Sequence, residues 1–246
     1  EHVGASNKLV QRWHFGMLND TERNEAYYRA LRRALADTRG LQVLDVGAGT
    51  GLLGMMAAKC GAESVVSCEK CEPVAASAEE IVALNRLGGK VRIVRKHSSD
   101  LIVGQKRPKI FVSGFGFYRL HGDGTGEQDM EARADVMVSE IVDCGLLGEG
   151  MIPSLRDARK RLLVPGARVI PERASIHCVC IQCPEQSAPL ARPLGAVHGF
   201  DFSLYNQFCA ASYEQIRLST IEHRFMTDVA PVFDFDFTDP AMPLDR

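Results

Sequence analysis

Residues 41–69 restrict this chain more than any other stretch. Leu41-Gln42-Val43-Leu44-Asp45-Val46 is a short apolar run of the kind that forms a strand buried on both faces. It leads straight into Gly47-Ala48-Gly49-Thr50-Gly51. Leu52-Leu53-Gly54-Met55-Met56-Ala57-Ala58-Lys59 then reads as a helix, closed by Gly61. Ser64–Cys68 follows as a second strand and ends at Glu69. Strand, glycine-rich turn, helix and strand make a βαβ unit, whose crossover requires parallel strands and so an α/β fold. Glycines in the first turn let a ligand approach the backbone, and the helix N-terminus behind them favours negative charge.

The glycine spacing alone is ambiguous. Gly49-x-Gly51-x-x-Gly54 fits the dinucleotide fingerprint, and Glu69 lies at the distance of a ribose contact. Two details argue against a nicotinamide cofactor. The run starts earlier, at Gly47, and an acidic residue, Asp45, precedes it at the strand end. A carboxylate there repels a pyrophosphate but suits a ligand carrying an ammonium group. Asp45-x-Gly47-x-Gly49-x-Gly51 resembles motif I of S-adenosylmethionine-dependent methyltransferases, and Glu69 resembles their ribose ligand. A tight turn without a ligand is the plainer alternative.

The rest of the chain supports one α/β unit and a second part of different texture. Residues 7–38 carry apolar residues at helical spacing, with Asp20 or Thr21 placed to cap a second helix. A helix is expected over Val74–Leu84 and a strand over Val91–Val94. His97-Ser98-Ser99-Asp100 follows, where a methyltransferase touches the adenine, so Ser98 and Ser99 are candidates. Residues 104–132 are turn-rich and charged and read as an insertion, with a hairpin within Phe111–Tyr118. Asp135–Ser139 is the fourth strand, Pro153–Leu163 a helix, Val164–Ala167 a turn, and Arg168–Ile170 a closing strand. Ile170-Pro171 is a candidate cis bond. From Glu172 the pattern alternates like antiparallel strands, over Ser175–Ile181, Ile216–Leu218 and Val232–Phe237. That sheet stops early and leaves edges unpaired, so continuation beyond Arg246 or an oligomer is expected to cover them. The domain boundaries expected are 1–40, 41–171 and 172–246, with a projecting arm at about 199–215.

Between the fourth strand and the next helix lies Ser139-Glu140-Ile141-Val142-Asp143-Cys144-Gly145-Leu146-Leu147-Gly148-Glu149-Gly150-Met151. Two glutamates nine positions apart flank a tight, glycine-rich turn. Such a pair can grip a planar cation, and a guanidinium, always charged and with donors in a fixed fork, has that shape. The competing reading is a pair of solvated loop charges.

Composition excludes more than it assigns. With 29 basic and 31 acidic residues and a formal charge of -2, the chain lacks the basic balance that nonspecific nucleic-acid binding needs. No apolar run approaches the roughly 20 residues of a membrane span, and the start, Glu1-His2-Val3-Gly4, has the pattern of neither a signal nor a transit peptide. The eight cysteines include Cys68-x-x-Cys71 and Cys180-x-x-Cys183, but these pairs lie too far apart for a zinc ribbon. No metal is expected. Reduced thiols of a cytoplasmic protein are the better reading, with the nucleus as a second location.

Motif I and the two-glutamate loop together resemble those of protein arginine N-methyltransferases, and the resemblance covers nearly the whole chain. Met17-Leu18-x-Asp20-x-x-Arg23 is similar to the family's N-terminal motif that closes over the cofactor. The span from Glu140-x-x-Asp143 to Gly148-Glu149-Gly150, followed by Pro153-Ser154, resembles the double-E loop of the family-7, monomethylating (type III) branch. The resemblance implies a Rossmann-like class I methyltransferase domain with N-terminal helices, then a β-barrel-type domain, incomplete here, with a dimerisation arm. It implies S-adenosyl-L-methionine as cofactor and S-adenosyl-L-homocysteine as product. Arg23 would hold the cofactor carboxylate and Glu69 the ribose, with Met17, Asp45, Gly47, Gly49, Gly51, Leu52, Ser98 and Ser99 completing the site. Glu140 and Glu149 would clamp the acceptor guanidinium. Asp20, Asp143 and Met151 would bind substrate or limit the product. Partners implied are glycine/arginine-rich proteins, RNA-binding proteins and histones as substrates, and a second copy in a homodimer. Two departures stand out. No Thr-His-Trp tripeptide occurs, although Asp20 matches its usual partner, and the Tyr-Phe-x-x-Tyr segment is not intact near Trp13-His14-Phe15. A methyltransferase for a small-molecule acceptor and a non-catalytic cofactor-binding scaffold are the alternatives.

Overall fold

The computed structural model describes residues 13–104, 110–113, 116–119, 128–143, 145–184, 194–208, 216 and 218–239, without the side chains of Trp13 and residues 110–119. The chain forms two units, 1–174 with 235–246, and 175–234.

The first unit is built on five parallel strands: β1 (Gln42–Val46), β2 (Ser64–Cys68), β3 (Val91–Val94), β6 (Ala134–Ser139) and β7 (Leu163–Ile170), in the order β3-β2-β1-β6-β7. Strand periodicity divides the core. Val43, Val65, Val136, Val138 and Ile170 face α2 (Thr21–Leu35) and α3 (Leu52–Lys59), where Leu31, Leu35, Leu53 and Ala57 meet them. Leu44, Met137 and Val169 point the other way, onto Leu155, Ala158 and Leu162 from α5 (Met151–Arg161) and the turn after it. Leu31, Leu44 and Leu155 are wholly buried, each worth about 1.5–3 kcal/mol of transfer free energy. A further helix, α4 (Glu72–Leu84), packs near β3.

Several expectations shift in detail. The N-terminal helical stretch is two helices, α1 (Trp13–Asn19) and α2; residues 7–12 lie outside the described residues. Helices α4 and α5 each start two residues earlier than expected. Pro153 thus sits third in α5, where its missing N–H is one of those a helix leaves unpaired anyway. Val164–Ala167 is not a turn. It lies inside β7, whose register against β6 shifts between Ala134 and Val136. The cause is local, since Pro165 donates no ladder hydrogen bond and Gly166 has φ +75°. The Ile170–Pro171 bond is cis, as expected.

In the insertion, β4 (Ile110–Ser113) and β5 (Gly116–Arg119) form the expected antiparallel hairpin; residues 105–109, 114–115 and 120–127 lie outside the described residues. Its base is pinched by a Val103–Met130 bridge and a Gly104 N–H bond to the Met130 carbonyl.

The second unit holds short antiparallel pairs: β9 (Ile181–Gln182) with β12 (Arg224–Phe225), and β10 (Ala196–Val197) with β11 (Phe200–Asp201). β8 (Arg173–Cys178) and β13 (Ala230–Asp236) pair with each other. The strand expected at 216–218 is instead a 3-10 turn at Leu218–Thr220, and Arg217 lies outside the described residues. After β13 the chain returns to the first unit, where Phe237 is fully buried among the residues around α5. Alternation toward a barrel could not foretell that return. No closed barrel forms among the described residues, and no helix among them is long and apolar enough to cross a membrane.

Candidate functional site

β1 is the point where the sheet changes direction. Its crossover leads through α3 to β2 on one side, while β6 and β7 lie on the other. A crevice opens at such a point, beyond the carboxyl ends of the strands. There Asp45 pairs with Val138 and Val46 with Ser139, so the glycine turn and Glu140 leave the sheet side by side. The two loops touch. Gly47 has φ +72°, and a Cβ on it would lie 2.3 Å from Ile141 Cγ2. Only glycine combines that backbone conformation with so close an approach.

Of the residues expected to bind cofactor, Glu69 bonds this turn and Asp45 bonds the helix that follows it. Asp45 is completely buried, and its Oδ2 accepts from the Gly54 amide and the Ser67 hydroxyl, both at 3.0 Å. Its Oδ1 is buried without a hydrogen-bond partner. Burial pushes this carboxyl up to about 7, against the opposing effect of the two hydrogen bonds. Glu69 accepts from the Gly49 amide at 3.0 Å and from the Cys71 amide at 2.7 Å, and so stands at the rim of the turn. Gly51 caps α3 in the left-handed conformation, and Leu52 is the first helical residue. Ser98 is buried in a short 3-10 turn after β3. Ser99 is exposed, its hydroxyl 2.8 Å from His97 Nδ1.

On the other lip, Glu140 continues β6 and is half-buried. Its Oε2 takes a hydrogen bond from Arg23 Nη2 at 2.6 Å. Arg23 comes from the first turn of α2, which Asp20 caps by accepting the Arg23 amide at 3.0 Å. The other Arg23 nitrogen bonds Asn24 Oδ1 at 2.9 Å and the Met17 carbonyl at 3.4 Å. Sequence separates Arg23 and Glu140 by 117 positions, and the fold joins them. Asp143 clips the loop: Gly148 N–H donates to its Oδ1 at 3.0 Å, and a Cβ on Gly148 would fall 2.1 Å from its Oδ2. Glu149 stands exposed beyond that clip. Partial burial raises its carboxyl above the ordinary range. The negative charges of Glu140 and Asp143 act the same way, and Lys70 opposes them. Met151 is fully buried at the start of α5, in the core.

Tyr27, Ser67 and Ser139 were not among the site residues expected from sequence, yet their hydroxyls tie this region together. The Tyr27 hydroxyl donates to the Ser139 carbonyl at 3.1 Å, and Ser139 Oγ donates to the Val46 carbonyl at 2.9 Å. Helical spacing takes in Tyr27, the Met-Leu-x-Asp-x-x-Arg motif ends four residues upstream of it, and Ser139 opens the two-glutamate loop, but none of these marks the hydroxyls that meet here. The surface cavities of about 710 and about 470 Å³ lie elsewhere, around Leu101–Gly104 with Arg161, and between α2 and Ile170–Glu172. Neither includes the glycine turn or the two glutamates. Among the described residues no cluster of His, Cys, Asp and Glu could hold a metal ion.

An orphaned buried carboxylate oxygen and glycines held at positive φ fit a ligand with an ammonium group pressed against backbone, as in S-adenosylmethionine. Residues 28–112 match the family model described as ribosomal protein L11 methyltransferase (PrmA). That span holds motif I and Glu69 but ends before the two-glutamate loop. The arginine N(omega)-methyltransferase of Streptomyces achromogenes subsp. streptozoticus is 36% identical over 96% of this chain and 58% of its own length. Protein arginine N-methyltransferase 7 of Aedes aegypti is 38% identical over 68% of this chain and 22% of its own. The chain thus spans little more than half of the first relative and a smaller part of the second. The solved Trypanosoma brucei PRMT1 enzyme-prozyme heterotetrameric complex with AdoHcy superposes with a TM-score of 0.70 at 25% identity, over 93% of this chain and 62% of that one. The chain has a class I methyltransferase α/β fold and is a relative of the protein arginine N-methyltransferases.

Proposed function

We propose that this chain transfers a methyl group to an ω-nitrogen of an arginine guanidinium and stops at monomethylarginine. The cofactor is S-adenosyl-L-methionine, which supplies an electrophilic methyl on a sulfonium. The observation that carries the acceptor is Glu140: its carboxylate already takes a guanidinium nitrogen, that of Arg23, at 2.6 Å. Glu140 and Glu149 fix the acceptor from two sides and hold its charge on the nitrogens that do not attack. The remaining nitrogen then presents its lone pair in line. An arginine side chain stays charged throughout the ordinary pH range and does not deprotonate first, so its proton leaves during or after transfer. Asp45, Glu69 and the Gly47–Gly51 backbone hold the cofactor, Arg23 its carboxylate, and Ser98, Ser99 and Leu52 its adenosyl part, while Met17 borders both the cofactor and the accepting nitrogen. Asp20 acts through the cap that sets Arg23, Asp143 through the clip that sets Glu149, and Met151 by packing beneath the loop. The name of the Aedes relative supports the monomethylating branch. Dimerisation through the arm near 199–215 completes the reading.

The test is methyl transfer to a glycine/arginine-rich peptide. Glu140→Gln and Glu149→Gln are each expected to lower kcat by at least a hundredfold while cofactor binding persists. Normal turnover in Glu140→Gln would sink the clamp. Mass spectrometry is expected to find monomethylarginine alone, and abundant dimethylarginine would remove the type III assignment. A second reading is favoured by the Streptomyces relative, whose name specifies arginine without protein. Free L-arginine assayed beside the peptide separates the two acceptors. Cofactor binding with transfer to neither would leave a scaffold.

A further inference from the structure

Tyr27 occupies an unusual position between the two halves of the site. It lies one helical turn after Arg23 on α2, so both side chains share a face. The Arg23 guanidinium carbon stands 5.7 Å from the centre of its ring, within cation–π range. Its hydroxyl reaches across to β6 and donates to the Ser139 carbonyl at 3.1 Å. Ser139 is the residue before Glu140, so this bond restrains the peptide from which the Glu140 side chain springs. Ser139 carries the tie onward through its own hydroxyl to the Val46 carbonyl at the end of β1, directly before Gly47. One phenol therefore restrains Glu140 twice, through its main chain and through its ion-pair partner. The same tie reaches the first glycine of motif I.

We infer that Tyr27 is a positioning residue for methyl transfer, holding Glu140 and Arg23 in mutual register so that acceptor clamp and cofactor site stay aligned. The inference rests on the methyl-transfer reading above. The geometry has a chemical logic. The donor methyl and the attacking nitrogen are held by different strands, and misplacement by even an ångström is costly to an in-line transfer. A hydroxyl that ties the ends of those strands to one helix removes that freedom. Burial raises the phenol's pKa, with the Glu140 charge acting in the same direction, so the donor proton is retained throughout the ordinary pH range.

The deciding variant is Tyr27→Phe, which keeps the ring beneath Arg23 and deletes only the bond to Ser139. In the full chain kcat is expected to fall roughly five- to tenfold with the KM for S-adenosylmethionine unchanged. Tyr27→Leu, which also removes the platform under Arg23, is expected to raise the cofactor KM as well. Tyr28→Phe, one position along, serves as the control. Amide hydrogen exchange on the ligand-free protein gives a readout independent of turnover. Tyr27→Phe should speed exchange at residues 139–150 and 47–51 and leave β2 and β3 unchanged. Unchanged exchange in those two loops overturns the inference, whatever the activity. So does a wild-type kcat in Tyr27→Phe. If the unmutated chain methylates no guanidinium, the functional reading fails by itself, while the exchange pattern still decides whether Tyr27 registers the two loops.

Discussion

At the scale of the residue, Asp45 shows how a site is held at a cost to the fold. Its carboxyl is fully buried and titrates near 7 instead of the ordinary 3.8. A raised carboxyl stabilises the folded state fully below the unfolded value, and that contribution is lost as pH rises through the folded one. The ligand-free protein is therefore expected to lose stability between about pH 4 and pH 7, by on the order of 4 kcal/mol from this group. Denaturation across that range should show the slope, and Asp45→Asn should flatten it; an equal slope in both would rule out Asp45 as its source. An ammonium ligand favours the ionised form, so cofactor binding below pH 7 should release a proton, seen by calorimetry in buffers of different ionisation heat. Gly148 makes the second case. An alanine there would evict the Asp143 carboxylate from 2.1 Å, breaking the clip behind Glu149. Gly148→Ala and Asp143→Ala should each lower kcat/KM about tenfold, and together by no more than either alone, because both act on one clip. A multiplied loss would show two separate roles.

At the scale of the element, α2 matters more than its place near the start of the chain suggests. Asp20 caps it, Glu22 sits in its first turn, and Arg32 and Arg33 in its last, all in accord with the helix dipole. Its first turn delivers Arg23 to Glu140, and its inner face buries Leu31 and Leu35 against the sheet. Loss of the cap should cost about 1 kcal/mol and fray the turn that carries Arg23. Asp20→Ala is thus expected to lower thermal stability modestly and raise the cofactor KM several-fold. A KM unmoved by a confirmed loss of stability would detach the cap from the site. The βαβ element was legible because glycine spacing and strand periodicity are local, and the loop glutamates stood out for the same reason. β7 was not fully legible: Pro165 and Gly166 read as a turn by themselves, and only pairing with β6 carries the strand past them. Helical spacing over residues 7–38 takes in Tyr27 but cannot name its partner, 112 positions away.

At the scale of the molecule, Phe200, Leu204, Tyr205 and Phe208 lie within one short stretch of the second unit, each more than 60% exposed. Asn206 braces that stretch with bonds to Leu194 and Ser203. Burying each large apolar side chain is worth about 1.5–3 kcal/mol, which favours a covered state. The whole chain is expected to sediment as a dimer at micromolar concentration, and Phe200→Ser with Phe208→Ser to shift it to monomer; a monomeric parent would end the arm proposal. The sequence by itself determined the parallel α/β sheet and the glycine turn, and it marked Asp45, Glu69, Glu140 and Glu149 as candidates. Those features are written in neighbouring residues, through backbone conformation and a period of two or 3.6. Tertiary structure alone decided the Arg23–Glu140 pairing, the Tyr27–Ser139–Val46 tie and the return of Phe237 to the first core. Each joins positions more than sixty residues apart, and no local spacing encodes a contact that exists only once the sheet has ordered its strands.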